Sequence, residues 1–127
     1  MYLNEGIEAS VFGFHEKMEE LYAASDLALT RAGAGTLFEL ALFGLPAIVV
    51  PYPHADSHQE DNARYFEKEG ALVVLKEKEA TPERLRGHLL SLVHSPEARR
   101  KMSENLKRLA RPRAAEDLVR AAEALLQ

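Results

Sequence analysis

Four short apolar runs, separated by longer amphipathic stretches, constrain this chain more than any other feature in it. The runs are Ala9 to Phe12, Leu27 to Thr30, Ala47 to Val50 and Leu72 to Leu75, each bounded by Gly, Pro or an acidic residue. They carry the Val, Ile and Leu of strands covered on both faces. Their alternation with helical segments is the pattern of βαβ units feeding a parallel sheet. The expected fold class is therefore α/β, a three-layer parallel sheet of about four strands with helices on both faces, ending in two or three helices. At 127 residues the chain suffices for one apolar core and is short for two, so residues 1–127 are read as a single domain.

The helical segments have legible ends. Glu16 to Ala24 places Met18, Leu21 and Tyr22 on one face. Thr36 to Phe43 is apolar almost all round, so burial on most sides is expected, with Gly44 and Pro46 ending it. A third helix runs from about His58 to Glu69, opened by Ser57 and Glu60 in capping-box spacing and closed by Gly70. Thr81-Pro82-Glu83 and Ser95-Pro96-Glu97 each supply an N-cap, a first-turn proline and an acid suited to the helix dipole. From about Ala114 a last helix lines up Ala115, Leu118, Val119, Ala122, Leu125 and Leu126 in a stripe that must pack on something.

Charge and composition exclude several classes. With 20 acidic against 16 basic side chains and a net charge of -4, the chain is unsuited to neutralising nucleic-acid phosphates, so no nucleic-acid partner is expected. The absence of cysteine rules out disulfides and thiolate metal sites and is consistent with a cytoplasmic location. No apolar run has the length of a membrane span, and Met1 to Ser10 lacks the regions of a signal peptide, so a soluble chain is expected.

The first segment with chemical content is Arg31-Ala32-Gly33-Ala34-Gly35-Thr36, between an expected strand and an expected helix at the carboxyl edge of the sheet, where open α/β folds bind ligands. Glycines admit an anion close to the backbone, and the free amides of a helix start suit a phosphate. A tight turn needing positive φ is an equally good account of the same residues. Gly33-x-Gly35 fails as a dinucleotide fingerprint because Phe38, at the third glycine position, is too large for close helix-to-strand packing.

Glu39 is the only charged residue of its helix, and an unpaired carboxylate in apolar surroundings is costly, so it needs a partner. Two fit: ribose hydroxyls, one turn from a phosphate at the helix start, or a salt bridge to Arg31 or another base. The polar stretch from Pro51 to Asn62 leads from a strand end into the third helix, and Gln59 and Asn62 share one face there, with carboxamides suited to sugar hydroxyls. His54, Asp56 and His58 are read as solvated or hydrogen-bonded groups and not as a metal site. Arg99, Arg100, Lys101, Lys107, Arg108, Arg111 and Arg113, interleaved with Glu97, Glu104 and Leu106, are read as a solvated helix face.

Taken in order, Phe14-His15-x-x-Met18, Ser25-Asp26, Arg31 through Glu39, Gly44-Leu45-Pro46 and Pro51-Tyr52-Pro53-x-Ala55-x-x-His58-Gln59-x-x-Asn62-Ala63 resemble the consecutive motifs of the MurG family. The resemblance runs from about residue 11 to 75. It implies a GT-B glycosyltransferase of two facing Rossmann-like domains, of which this chain would be the C-terminal, donor-binding part. The reaction implied is inverting transfer of N-acetylglucosamine from UDP-N-acetylglucosamine to lipid I in peptidoglycan synthesis, at the cytoplasmic face of the inner membrane.

Carried onto this sequence, the family pattern implies the diphosphate at Ala34, Gly35 and Thr36, the ribose on Glu39, the uracil at the His15 backbone, and the sugar hydroxyls on Gln59. His58 stands where many relatives have a second glutamine. No metal and no cofactor is implied. The family's glycine-rich strand-loop and its N-terminal acceptor domain have no counterpart here, so no catalytic base is assigned and the isolated chain is expected to be inactive. The alternative is a non-catalytic UDP-sugar-binding or assembly fragment that needs a separate acceptor-domain chain. The edge left by the lost strands and the C-terminal stripe favour self-association.

Overall fold

The computed structural model of the chain describes residues 18–53 and 57–110. Along them run α1 (Met18–Ala24), β1 (Ala28–Thr30), α2 (Ala34–Phe43), β2 (Ala47–Val49), α3 (Ser57–Lys68), β3 (Val73–Val74), a 3-10 turn at Glu77–Glu79, α4 (Pro82–Val93) and α5 (Pro96–Ala110). The strands are parallel in the order β1-β2-β3, with Ala28 opposite Ala47 and Ile48 opposite Val73. Three expected strands therefore form where their apolar runs lie. The fourth, Ala9 to Phe12, falls outside the described residues, as do Glu16 and the helix from Ala114.

Side-chain alternation along the strands builds two cores. Ala47, Val49 and Val74 pack with Leu37, Leu40 and Ala41 of α2 and Ala63 of α3. Ile48 and Leu75, on the opposite face, pack with Leu92 of α4. Helix α5 serves both: Met102 belongs to the second core, Leu106 and Ala110 to the first. The sheet is thereby covered on both sides, as parallel strands require.

The ends of the helices follow from local chemistry. Gly44 caps α2 in the left-handed region at φ 60, and its amide reaches back to Ala41 and Leu40 carbonyls. It is also where α2 meets α5: a Cβ on Gly44 would lie 2.5 Å from Lys107 Cε and 2.8 Å from Ser103 Oγ. Gly70, at φ 72, ends α3, and its carbonyl accepts a 3.0 Å bond from Asn105 Nδ2 of α5. Thr81 Oγ1 accepts the Arg84 amide and Ser95 Oγ the Ala98 amide, each at 3.2 Å, so both expected N-caps form.

Three expectations are corrected. Helix α2 is not buried all round, because Phe38 and Leu42 are about half exposed at 47% and 50%. Phe38 borders a shallow depression that Asn62, Tyr65 and Phe66 of α3 also line. Helix α3 starts at Ser57 itself, not after it, and Glu60 faces Arg64 at 3.7 Å and Lys76 at 3.8 Å. Arg99 is not simply solvated: its guanidinium donates to the Leu92 and Val93 carbonyls at 2.6 and 2.7 Å, closing the last turn of α4. Of the remaining basic residues, Arg111 and Arg113 lie outside the described residues.

Candidate functional site

The loops after β1 and β2 and the segment after β3 all leave the same, carboxyl edge of the sheet, because the strands are parallel. The β1 loop enters α2 through Gly33, an N-cap with extended φ and ψ and no side-chain capping bond. The first hydrogen bond of the helix is Leu37 N to Gly33 O at 3.0 Å. The amides of Ala34, Gly35 and Thr36 therefore have no acceptor among the described residues, as the first turn of an uncapped helix must. A Cβ on Gly35 would meet nothing within 4 Å, so the backbone there borders open space. Ten residues of α2 direct their dipole at the same point.

Glu39, one turn further on, is exposed, which corrects the expectation of a buried carboxylate. The group beside it is also different. The neighbour that senses its charge is the Tyr22 hydroxyl of α1, and Tyr22 is held against the Phe43 ring with centroids 5.6 Å apart. Burial, then hydrogen bonding with Glu39 and its charge, push the Tyr22 pKa up from the ordinary tyrosine value. One neighbouring hydroxyl leaves most of the acceptor capacity of a carboxylate unused.

Arg31 does not pair with Glu39. Its guanidinium bonds Glu77 Oε1 at 2.8 Å, reaches the Val50 carbonyl at 3.5 Å and lies 4.4 Å over the Tyr52 ring. An open depression of about 370 Å³ lies beside this cluster, lined by Leu29, Thr30, Arg31, Val50, Glu77 and Leu85 among others. Of the predicted binding residues whose surroundings the structure describes, Gly35, Thr36, Glu39 and Gln59, none is among its described lining. Gln59, in the first turn of α3, has its side-chain oxygen buried with no hydrogen bond among the described residues, an unsatisfied acceptor that costs free energy unless a donor arrives. Asn62 lines a smaller depression of about 220 Å³ with Leu37, Phe38, Tyr65 and Phe66.

Of the predicted residues, then, Ala34, Gly35 and Thr36 share the helix start, Glu39 lies on the same helix, and Gln59 opens the next one. The backbone of His58 is helical, and His15 lies outside the described residues. Tyr52 enters the sequence reading only within the Pro51-Tyr52-Pro53 motif, with no role assigned, and Glu77 not at all. Arg31 stands there at the head of the segment running to Thr36 and as a salt-bridge partner for Glu39, but its pairing with Glu77 leaves no local signal, because the two are 46 residues apart.

Comparison with known proteins gives the family of the chain. The family model described as the glycosyltransferase family 28 C-terminal domain matches residues 2–118. A protein of Hahella chejuensis called "UDP-N-acetylglucosamine--N-acetylmuramyl-(pentapeptide) pyrophosphoryl-undecaprenol N-acetylglucosamine transferase" is 43% identical over 121 residues, 94% of this chain and 34% of that protein. One of the same name from Carboxydothermus hydrogenoformans is 39% identical over 99% of this chain and 34% of its own length. The crystal structure of Acinetobacter baumannii MurG superposes with a TM-score of 0.79 at 31% identity, covering 91% of this chain and 33% of that one. The chain thus spans about a third of the length of the relatives it matches. It belongs to the glycosyltransferase family 28 C-terminal domain family.

Proposed function

We propose that this chain binds the donor in a transferase that moves N-acetylglucosamine from UDP-N-acetylglucosamine to lipid I, the reaction carried in the names of the relatives it matches. The observation that carries the reading is the uncapped start of α2, where three free amides and the helix dipole border open space at the carboxyl edge of a parallel sheet. The diphosphate takes the amides of Ala34, Gly35 and Thr36. Glu39 accepts the ribose hydroxyls with the lone pairs that Tyr22 leaves free. Gln59 meets the sugar hydroxyls with its unsatisfied oxygen, beside His58, and the uracil lies at His15.

Sugar transfer itself needs an acceptor surface and a base, and these belong to the two thirds of the relatives' length that this chain does not match. The N-terminal acceptor domain is therefore its principal partner, and lipid I is met through that domain at the cytoplasmic face of the inner membrane. Among the described residues no helix is long and apolar enough to cross a membrane, so attachment would be peripheral. Self-association is a further part of this proposal, tested by sedimentation at high concentration.

Titration calorimetry of the folded chain with UDP and UDP-N-acetylglucosamine tests the donor reading. Millimolar or tighter binding of both, abolished by Glu39→Ala, is expected. No heat at millimolar ligand from a chain with native circular dichroism refutes it.

A further inference from the structure

Arg31 draws together parts of the chain that are remote in sequence. It sits in the loop after β1, two residues before the N-cap of α2, and its guanidinium pairs with Glu77 at 2.8 Å in the turn that follows β3. The same group touches the last residue of the β2 run, through the Val50 carbonyl at 3.5 Å, and stacks at 4.4 Å on Tyr52 in the loop that leads to α3. The acidic turn is tied onward as well. Lys76, next to Glu77, has its amide bonded to Glu79 Oε1 at 3.1 Å and its ammonium 3.8 Å from Glu60 in the first turn of α3. One planar group thus links all three segments that leave the carboxyl edge of the sheet.

We propose that Arg31 is a positioning residue that binds these three segments into one rim and so sets how the amides at the start of α2 meet a nucleotide diphosphate, a role that rests on the donor-binding reading above. Its charge is paired with Glu77 and its flat face lies on Tyr52, and because guanidinium N–H donors remain, direct phosphate contact is the rival role that the Glu77→Gln arm below separates. Both partners of the ion pair are substantially exposed, at 40% and 46%, so the pair adds little to global stability. Its effect is geometric. Lysine cannot reproduce it, because an ammonium lacks the planar fork that pairs with a carboxylate while stacking on a ring.

The test uses Arg31→Lys, Glu77→Gln and the double variant in the full chain, with two readouts. The first is the amide spectrum and hydrogen exchange of the unliganded protein. Signals of residues 33–36 and 52 are expected to shift in both single variants, and the Leu37 amide, bonded to the Gly33 carbonyl, to lose protection, with the melting temperature nearly unchanged. The second is affinity for UDP and for uridine. Each single variant is expected to weaken UDP roughly 5- to 10-fold while leaving uridine unaffected, and the double variant is expected to lose no more than either single, as groups acting as one unit do.

Unmoved amide signals at residues 33–36 overturn the proposal. So does a loss confined to Arg31→Lys with Glu77→Gln binding as well as or better than the parent, which would mark direct contact with phosphate, and so do additive losses. Should the parent chain bind no UDP, the donor reading falls, and the amide spectra alone decide whether the tie exists.

Discussion

Replacing Gly35 by alanine separates what the fold needs from what a ligand needs. Gly35 is helical and exposed, in the first turn of α2, and a Cβ there would meet nothing within 4 Å. Alanine at a compatible helical position reduces the entropy of the unfolded chain and stabilises by about 0.4–1 kcal/mol. For a domain of this size that corresponds to a rise in melting temperature of roughly 2–6 °C. The open space is also where the diphosphate is proposed to lie, against amides that donate charge-assisted hydrogen bonds. Loss of one such bond costs about 1.5–3 kcal/mol, a factor of roughly 10–150 in affinity. Gly35→Ala is therefore expected to melt higher and bind UDP at least 10-fold more weakly, and Gly35→Val to bind more weakly still. Differential scanning calorimetry and isothermal titration on the same preparations give both quantities. UDP affinity unchanged in Gly35→Ala would place the phosphates elsewhere, and a lower melting temperature would mean that the space is not open.

Gly44→Ala acts in the opposite sense: a left-handed residue gains a Cβ that collides with Lys107 and Ser103 of α5, so urea denaturation should show a loss of roughly 1–3 kcal/mol. Leu106, fully buried between α5 and the sheet core, should cost about 2–5 kcal/mol when cut to alanine, read in the same assay. The raised pKa of Tyr22 means that the folded state holds its proton more tightly than the unfolded state, so its contribution to stability is complete below the ordinary tyrosine pKa and is lost as pH rises through the higher folded value. Parent protein should accordingly lose stability above about pH 10 more steeply than Tyr22→Phe, measured by thermal melts at increasing alkaline pH.

The sequence was most legible where a local interaction decides the structure. The apolar runs at 27–30, 47–50 and 72–75 became the three strands, and Thr81 and Ser95 became N-caps, because strand burial and capping depend on neighbours within a few residues. Gly44 was readable for the same reason, as only glycine sits in that conformation without strain. The exposure of Phe38 and Leu42 was not, since the apolar periodicity of α2 does not say which sides find a neighbour. Arg31, Tyr52 and Glu77 form a site feature that only the parallel sheet order brings together, and no spacing rule connects them. Glu39 is exposed, so burial does not force a partner on it, and its neighbour Tyr22 depends on how α1 lies against α2, which no local pattern states.

Helix α5 carries a consequence for biosynthesis. Because Met102 completes one layer of apolar packing and Leu106 and Ala110 the other, neither side of the sheet is closed until nearly all of residues 18–110 has emerged from the ribosome. Parallel strands form only distant pairings, which are slow to gain free energy from partial chains. During translation the nascent β1-α2-β2 segment must therefore wait with uncovered Val and Ile, a window in which chaperone capture competes with aggregation.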